Sequence, residues 1–138
     1  MDARPAVLVL DHEADVARAV ARVLRRDFCA EAETSCALAL QRLRAGERFA
    51  AIVCDLAMSE MSGVELYEEV RRVAPKQGER MLFLSGGALS DELRAFADEH
   101  GSIEKPFVGE PLRARIWSLV SQPAANDFTL GGESPQNE

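Results

Sequence analysis

Five short apolar runs alternate along the chain with longer stretches in which apolar residues recur every three or four positions. The runs cover residues 6–10, 28–32, 49–54, 81–84 and 102–104. The first run is partly β-branched and apolar on both faces, which is typical of a central strand in a parallel sheet. The second run is weaker and the fifth is very short. This pattern predicts five strands.

The stretches between these runs have the spacing of amphipathic helices. In residues 14–26 the apolar side chains fall on one face and four arginines fall on the other. Thr34 or Ser35 can cap the second helix and Ser90 the fourth, because short hydroxyl side chains accept hydrogen bonds from free backbone amides. Five helices are predicted, at residues 14–26, 36–43, 63–73, 91–99 and 110–120.

A strand is followed by a helix five times. Parallel strands joined by helices of this length form one sheet with right-handed crossovers and with helices on both faces. The predicted fold class is therefore α/β, a doubly wound five-stranded parallel sheet. We expect one domain over residues 1–121. Residues 122–138 are rich in polar residues, proline and glycine, and we expect them to form a flexible C-terminal tail.

Composition narrows the classes of function. The chain has 138 residues and a net charge of −7, which disfavours direct binding to nucleic acid because phosphate recognition needs local positive charge. No apolar stretch is long enough to cross a bilayer, so we expect no direct membrane contact. The chain has three cysteines, Cys29, Cys36 and Cys54, and no two of them have CxxC spacing. We expect a cytoplasmic protein, since thiols persist in a reducing compartment.

The polar residues that follow the strands indicate the chemistry. In an open parallel sheet, ligands bind at the carboxyl ends of the strands. The residues there are Asp11, His12 and Glu13 after the first strand, Asp55 after the third, Ser85 after the fourth and Lys105 after the fifth. Clustered carboxylates repel one another unless they share a proton or a cation, and oxygen-rich clusters suit Mg²⁺.

These residue types together predict a carboxylate that accepts a phosphoryl group. Asp55 would act as the nucleophile and form an acyl phosphate. A divalent metal would screen the charge between this carboxylate and the incoming oxygens. Ser85 would donate a hydrogen bond to one phosphoryl oxygen, and the Lys105 ammonium would pair with another.

Four segments carry a family resemblance. They read VLVLDHE at the first strand, IVCDLAMSEMSG at the third, FLSGG at the fourth and EKPF at the fifth. Over about residues 5–121 the chain resembles the receiver domains of two-component response regulators, which stand alone or belong to hybrid histidine kinases and share a (βα)5 flavodoxin-like fold. The resemblance implies that Asp55 takes its phosphoryl group from a phosphohistidine on a histidine kinase or histidine phosphotransfer protein. The catalysis performed by this chain itself would be limited to self-phosphorylation and slow autodephosphorylation.

The resemblance also implies a set of ligands and contacts. Bound Mg²⁺ would be held by Asp11, Asp55 and the backbone carbonyl of Ala57. A cis peptide bond between Lys105 and Pro106 would aim the ammonium at the phosphate. The family further implies that a homodimer can form.

Three positions depart from the family pattern. His12 stands where the family usually has a second metal-binding acid, and a neutral imidazole is a poor Mg²⁺ ligand. His12 or Glu13 is an alternative further ligand, and we expect weak Mg²⁺ affinity, with Mn²⁺ as an alternative ion. Ser59 replaces a common proline, which would make the acceptor loop less rigid. Ser102 replaces a frequent aromatic residue, so we expect the usual aromatic switch to be absent.

Two other functions remain open at this point. The first is a degenerate receiver, a binding module that works without phosphorylation because His12 weakens the metal site. The second is an aspartate-based phosphatase of related α/β design. That class needs a general acid two residues after the nucleophile, and Ala57 occupies this position, which disfavours it.

Overall fold

The computed structural model of the protein describes residues 4–58, 60–87, 89–105 and 109–121. The strands are β1 (Ala6–Leu10), β2 (Cys29–Glu33), β3 (Ala51–Asp55), β4 (Met81–Ser85) and β5 (Ile103–Glu104). The helices are α1 (Ala14–Leu24), α2 (Cys36–Arg44), α3 (Gly63–Val73), α4 (Pro75–Gly78), α5 (Asp91–His100) and α6 (Gly109–Ser121). All five predicted strands and all five predicted helices are therefore present, and their ends agree to within two residues.

The strands form one parallel sheet in the order β2-β1-β3-β4-β5. The register pairs Leu10 of β1 with Cys54 of β3, and Asp55 with Leu84 of β4. The predicted fold class is confirmed. The order changes direction between β1 and β3, and Asp55 lies at this central position of the sheet.

The sheet separates two apolar cores. Because side chains alternate along a strand, neighbouring residues of β1, β3 and β4 face opposite sides. One core combines α2, α3 and α5 with Leu8, Leu10, Ile52, Cys54, Met81 and Phe83. The other combines α1 and α6 with Val7, Val9, Ala51, Val53, Leu82 and Leu84. Helices thus cover both faces, which explains why the central strands are apolar throughout.

The helix ends follow the predicted caps, and one helix was not predicted. The hydroxyls of Ser35 and Ser90 accept hydrogen bonds from amides in the first turns of α2 and α5. The short α4 begins at Pro75, where the sequence predicted only the end of α3. Its buried Gln77 side chain hydrogen-bonds the backbone of Phe49 in both directions, at 2.8 and 3.0 Å. This long-range pairing holds the extra turn against the start of β3.

Several sequence predictions lie outside the described residues. They concern Ser59 in the acceptor loop, the peptide bond between Lys105 and Pro106, and the tail at 122–138. Among the described residues, no helix combines the length and apolar character needed to cross a membrane.

Candidate functional site

Two buried carboxylates lie at the carboxyl ends of the central strands. Asp11 follows β1 and is 1% exposed, and Asp55 ends β3 and is 4% exposed. The backbone amide of Glu13 donates to Asp11 Oδ1 at 3.0 Å, and the amide of Ala57 donates to Asp55 Oδ1 at 3.3 Å. Each turn after a strand therefore folds back and holds the carboxylate that precedes it.

One ammonium serves both carboxylates. Lys105 Nζ donates to Asp11 Oδ2 at 2.8 Å and lies 3.5 Å from Asp55 Oδ2. Burial lowers the pKa of Lys105, but its hydrogen bonds and charge interactions with Asp11 and Asp55 outweigh burial and raise the pKa above its ordinary value. The ammonium expected at this edge of the sheet thus lies beside both carboxylates, with its shorter contact to Asp11.

The imidazole of His12 lies between the acids. Its Nδ1 is 3.7 Å from Asp11 Oδ1 and 3.6 Å from Asp55 Oδ2, while Nε2 is 3.7 Å from Glu13 Oε2. These separations are too long for hydrogen bonds and leave room for an ion to draw the ligand atoms together. We call Asp11, His12, Asp55 and Lys105 the acid half of the site.

The donor set can hold a divalent metal. Ligand atoms of Asp11, His12 and Asp55 all lie within 4.8 Å of one another. Two carboxylates suit Mg²⁺, whereas an added imidazole suits transition ions better. The Glu13 carboxylate is 63% exposed and reaches only His12 among the rim contacts described. For Ala57 the described contact is its amide, so the role of its carbonyl stays a prediction.

A second group of residues forms what we call the hydroxyl half of the site: Ser85, Gly86 and Ser102. Ser85 Oγ lies 3.4 Å from Ser102 Oγ. The Lys105 amide donates to the Ser85 carbonyl at 2.7 Å, which joins β4 to the chain that carries the ammonium. A cavity of about 430 Å³ opens here, lined by residues that include both serines, Gly86, Arg94, Asp98 and Lys105.

The loop after Asp55 is closed by a tight glycine contact. The Gly63 amide donates to the Leu56 carbonyl at 2.8 Å. A Cβ atom at Gly63 would lie 2.9 Å from Leu56 Cα, closer than real Cβ contacts come. Ser62 and Glu65 form a capping box at the start of α3, which fixes the far end of the loop.

Sequence reasoning did not find two contacts of this region. Ser102 was noted only as a missing aromatic residue, and its pairing with Ser85 depends on the register of β4 against β5. Glu60 of the acceptor loop accepts a hydrogen bond from the Cys36 amide at 2.8 Å. Burial, and next the Glu60 charge, raise the pKa of the Cys36 thiol to about 11. A carboxylate 24 residues away in sequence gave no local signal for this contact.

A comparison with known families identifies the chain. A family model described as the response regulator receiver domain matches residues 7–117. The chain belongs to this family. Receiver domains are modules of two-component signalling, and the predicted resemblance is confirmed. The matched residues include both halves of the site.

One curated relative and two solved structures illustrate the family. The chain is 35% identical over 126 residues to the hydrogenase transcriptional regulatory protein HoxA of Bradyrhizobium diazoefficiens. That alignment covers 87% of this chain and 25% of HoxA, so the chain spans about a quarter of that relative.

The solved structures share the fold at lower identity. A response regulator receiver protein from Sinorhizobium medicae has a TM-score of 0.69 and 23% identity, over 86% of this chain and 95% of that chain. A receiver domain from Clostridium thermocellum has a TM-score of 0.73 and 18% identity, over 84% and 94% of the two chains. These likenesses support the flavodoxin-like arrangement of the receiver.

Proposed function

We propose that this receiver domain is the phosphoacceptor of a two-component phosphorelay and that Asp55 carries the phosphoryl group. The observation that supports this proposal most directly is the charge arrangement at Asp55. Its buried carboxylate lies beside a second carboxylate, Asp11, and 3.5 Å from the Lys105 ammonium. Such a site has a nucleophile and a fixed positive charge in place before the donor arrives.

The donor in this proposal is a phosphohistidine of a histidine kinase or a histidine phosphotransfer protein. A carboxylate oxygen of Asp55 attacks phosphorus, so an O–P bond forms as the P–N bond to the donor imidazole breaks. The leaving imidazole takes a proton from solvent and becomes neutral histidine. Lys105 offsets the charge of the transferred oxygens, and Ser85 donates a hydrogen bond to one of them.

A divalent metal completes the proposed site. Asp11, Asp55 and the carbonyl of Ala57 would hold it, with His12 or Glu13 as a further ligand. When bound, Mg²⁺ or Mn²⁺ would offset the negative charge shared by the carboxylates and the phosphoryl oxygens. The imidazole of His12 brings no negative charge. We therefore expect this site to bind Mg²⁺ less tightly than a site with a third carboxylate at that position would.

The rest of the proposal concerns setting and output. The unit would span residues 1–121, act in the cytoplasm, relay the signal to a protein partner and be capable of forming a homodimer. Its own chemistry would be limited to phosphorylation and hydrolysis of Asp55. HoxA is described as a transcriptional regulator, but the chain covers a quarter of it, so its output is not carried over.

Loading by a small phosphodonor tests the proposal. The protein is incubated with acetyl phosphate and Mg²⁺ or Mn²⁺, and its intact mass is measured. We expect one added phosphoryl group, which is lost in Asp55→Asn. Asp15→Asn is the matched control, because Asp15 is an exposed aspartate paired with Arg18 on α1 and should load normally. An adduct that persists in Asp55→Asn would contradict the assignment of the acceptor.

A second candidate function is a degenerate receiver that binds its partner without phosphorylation. The position of His12 favours it, because the imidazole lies within 3.7 Å of both buried carboxylates. The same experiment separates the two functions. If neither Mg²⁺ nor Mn²⁺ supports an adduct on the folded protein, the phosphorelay proposal fails and the degenerate receiver is favoured.

A further inference from the structure

We propose that Ser102 is a positioning residue that sets the direction of the Ser85 hydroxyl hydrogen. This inference rests on the proposed function, since it concerns the donor to a phosphoryl group on Asp55. Its basis is the contact between Ser85 Oγ and Ser102 Oγ at 3.4 Å, at the open end of the sheet. Ser102 itself touches neither the acceptor nor the phosphoryl group in this proposal.

The argument starts from what a hydroxyl can do. A serine hydroxyl has one hydrogen to donate and two lone pairs that accept. Either serine can be the donor in the observed contact. Once Ser85 donates its hydrogen to a phosphoryl oxygen, the contact survives only if Ser102 donates to Ser85. Loading therefore fixes the direction of the hydrogen bond between the two serines.

This direction of the hydrogen bond, from Ser102 to Ser85, also makes the Ser85 hydroxyl a better donor. A hydroxyl oxygen that accepts a hydrogen bond is polarised, and its own hydrogen then binds an anion more strongly. Ser102 Oγ lies 3.4 Å from Oγ of the buried Ser85, within reach of that second bond. The hydroxyl of Ser102 is the group at hand that can supply it.

The surroundings allow the contact to shorten. A separation of 3.4 Å is long for two hydroxyls, which prefer about 2.7–2.8 Å. The cavity of about 430 Å³ lies against both serines, so Ser102 can shift without displacing a packed side chain among the residues described. During such a shift, the hydrogen bond from the Lys105 amide to the Ser85 carbonyl, 2.7 Å long, keeps the two segments adjacent.

A double-mutant cycle tests this role. The rate constant of loading by acetyl phosphate is measured by intact mass for wild type, Ser85→Ala, Ser102→Val and the double variant. Ser102→Thr is the matched control, because threonine and valine have nearly the same shape and differ by the hydroxyl. We expect Ser102→Val to load about fivefold more slowly, the effect of one hydrogen bond between neutral groups. Ser102→Thr should load at close to the wild-type rate.

The cycle distinguishes positioning from a merely structural effect. If Ser102 acts through Ser85, replacing Ser102 changes nothing further once Ser85 is alanine, so the double variant equals Ser85→Ala. Three results would overturn the inference while leaving Asp55 as the acceptor. Ser102→Val could slow loading equally in the wild-type and Ser85→Ala backgrounds, or it could leave the loading rate unchanged. The third result is that Ser102→Thr slows loading as well. A wild-type protein that does not load at all would instead refute the proposed function and this inference with it.

Discussion

The acid half and the hydroxyl half of the site lie at the same edge of the sheet but are built differently. In the acid half, two nearly inaccessible carboxylates share the Lys105 ammonium at 2.8 and 3.5 Å. In the hydroxyl half, two serines meet at 3.4 Å beside a cavity of about 430 Å³. One half is closely packed and charged, and the other is open and neutral at its centre.

This difference indicates how the two halves divide the work. Buried charges depend on one another, so removing one of them leaves the others without compensation. A neutral hydroxyl pair at the wall of a cavity can rearrange at little cost. We therefore expect substitutions in the acid half to change both loading and stability strongly, and substitutions in the hydroxyl half to change loading rates modestly.

The largest effect is expected from Lys105→Met. Loading by acetyl phosphate should slow by about a hundredfold, since a fixed positive charge near the transferred oxygens is lost. The free energy of unfolding should fall by about 2 kcal/mol, because Asp11 and Asp55 lose their common counter-charge. Lys76→Met in the distant α4 turn is the control for loss of a lysine, and equal effects in the two variants would contradict the charge argument.

The next effect is expected from Gly63→Ala, next to the acid half. The added Cβ would lie 2.9 Å from Leu56 Cα, so the acceptor loop must shift. We expect the free energy of unfolding to fall by about 2 kcal/mol in urea titration. Gly46→Ala separates steric contact from backbone strain, because Gly46 has a φ of +102° with nothing near its Cβ position. An unfolding free energy unchanged in Gly63→Ala would mean that the loop is not held by this contact.

His12→Asp should strengthen Mg²⁺ binding by about tenfold, since a third carboxylate adds charge and a hard oxygen ligand. Titration calorimetry with Mg²⁺ and Mn²⁺ measures the change, which should be smaller for Mn²⁺ because imidazole already suits that ion better. His12→Asn removes the imidazole without adding charge and should not gain affinity. Equal Mg²⁺ affinity in wild type and His12→Asp would refute this account of the metal site.

A small effect is expected from Gly86→Ala in the hydroxyl half. Its Cβ would lie 3.4 Å from Lys105 Cδ and 3.5 Å from Lys105 Cβ, which a flexible stem can accommodate. The free energy of unfolding should stay within about 0.5 kcal/mol of wild type. A loss comparable with that of Gly63→Ala would show that this half is as tightly packed as the other.

The last prediction concerns the dependence of stability on alkaline pH. Burial lowers the pKa of Lys105, but its partners raise it above the ordinary 10.5, so the folded state holds this proton more tightly than the unfolded state. The stabilisation is complete below the unfolded pKa and is lost as pH rises through the folded pKa. The difference in unfolding free energy between wild type and Lys105→Met should therefore narrow above pH 10.5, by at most about 1.4 kcal/mol per pH unit. If the difference in unfolding free energy between the two proteins stays constant with pH, the ion pairing of Lys105 with its carboxylates is contradicted.

Much of the fold and the charged part of the site could be predicted from sequence. Runs such as residues 6–10 are apolar on both faces, so a parallel sheet covered on both sides follows directly. Since the carboxyl ends of parallel strands meet at one edge, Asp11, Asp55 and Lys105 were expected to be neighbours, and the structure brings them within 3.5 Å of the ammonium.

The remaining features depend on contacts between distant segments. The α4 turn is held by Gln77 against Phe49, and Glu60 caps α2 through Cys36, but neither pair shares a local pattern. Apolar character alone also does not ensure burial, since Leu38 of α2 is 49% exposed. The pairing of Ser85 with Ser102 requires the register of β5, which two residues of strand do not reveal.

The shortness of β5 has a consequence for how the domain opens. Its two residues pair with β4 alone, through Leu84 and Ser85, and it forms an outer edge of the sheet. An edge ladder this short can detach without unfolding the rest of the molecule. Amide hydrogens of Ile103 and Glu104 should then exchange with solvent far faster than those of β1 and β3. Because Lys105 follows directly, such local detachment would free the ammonium from its carboxylates while both cores remain intact.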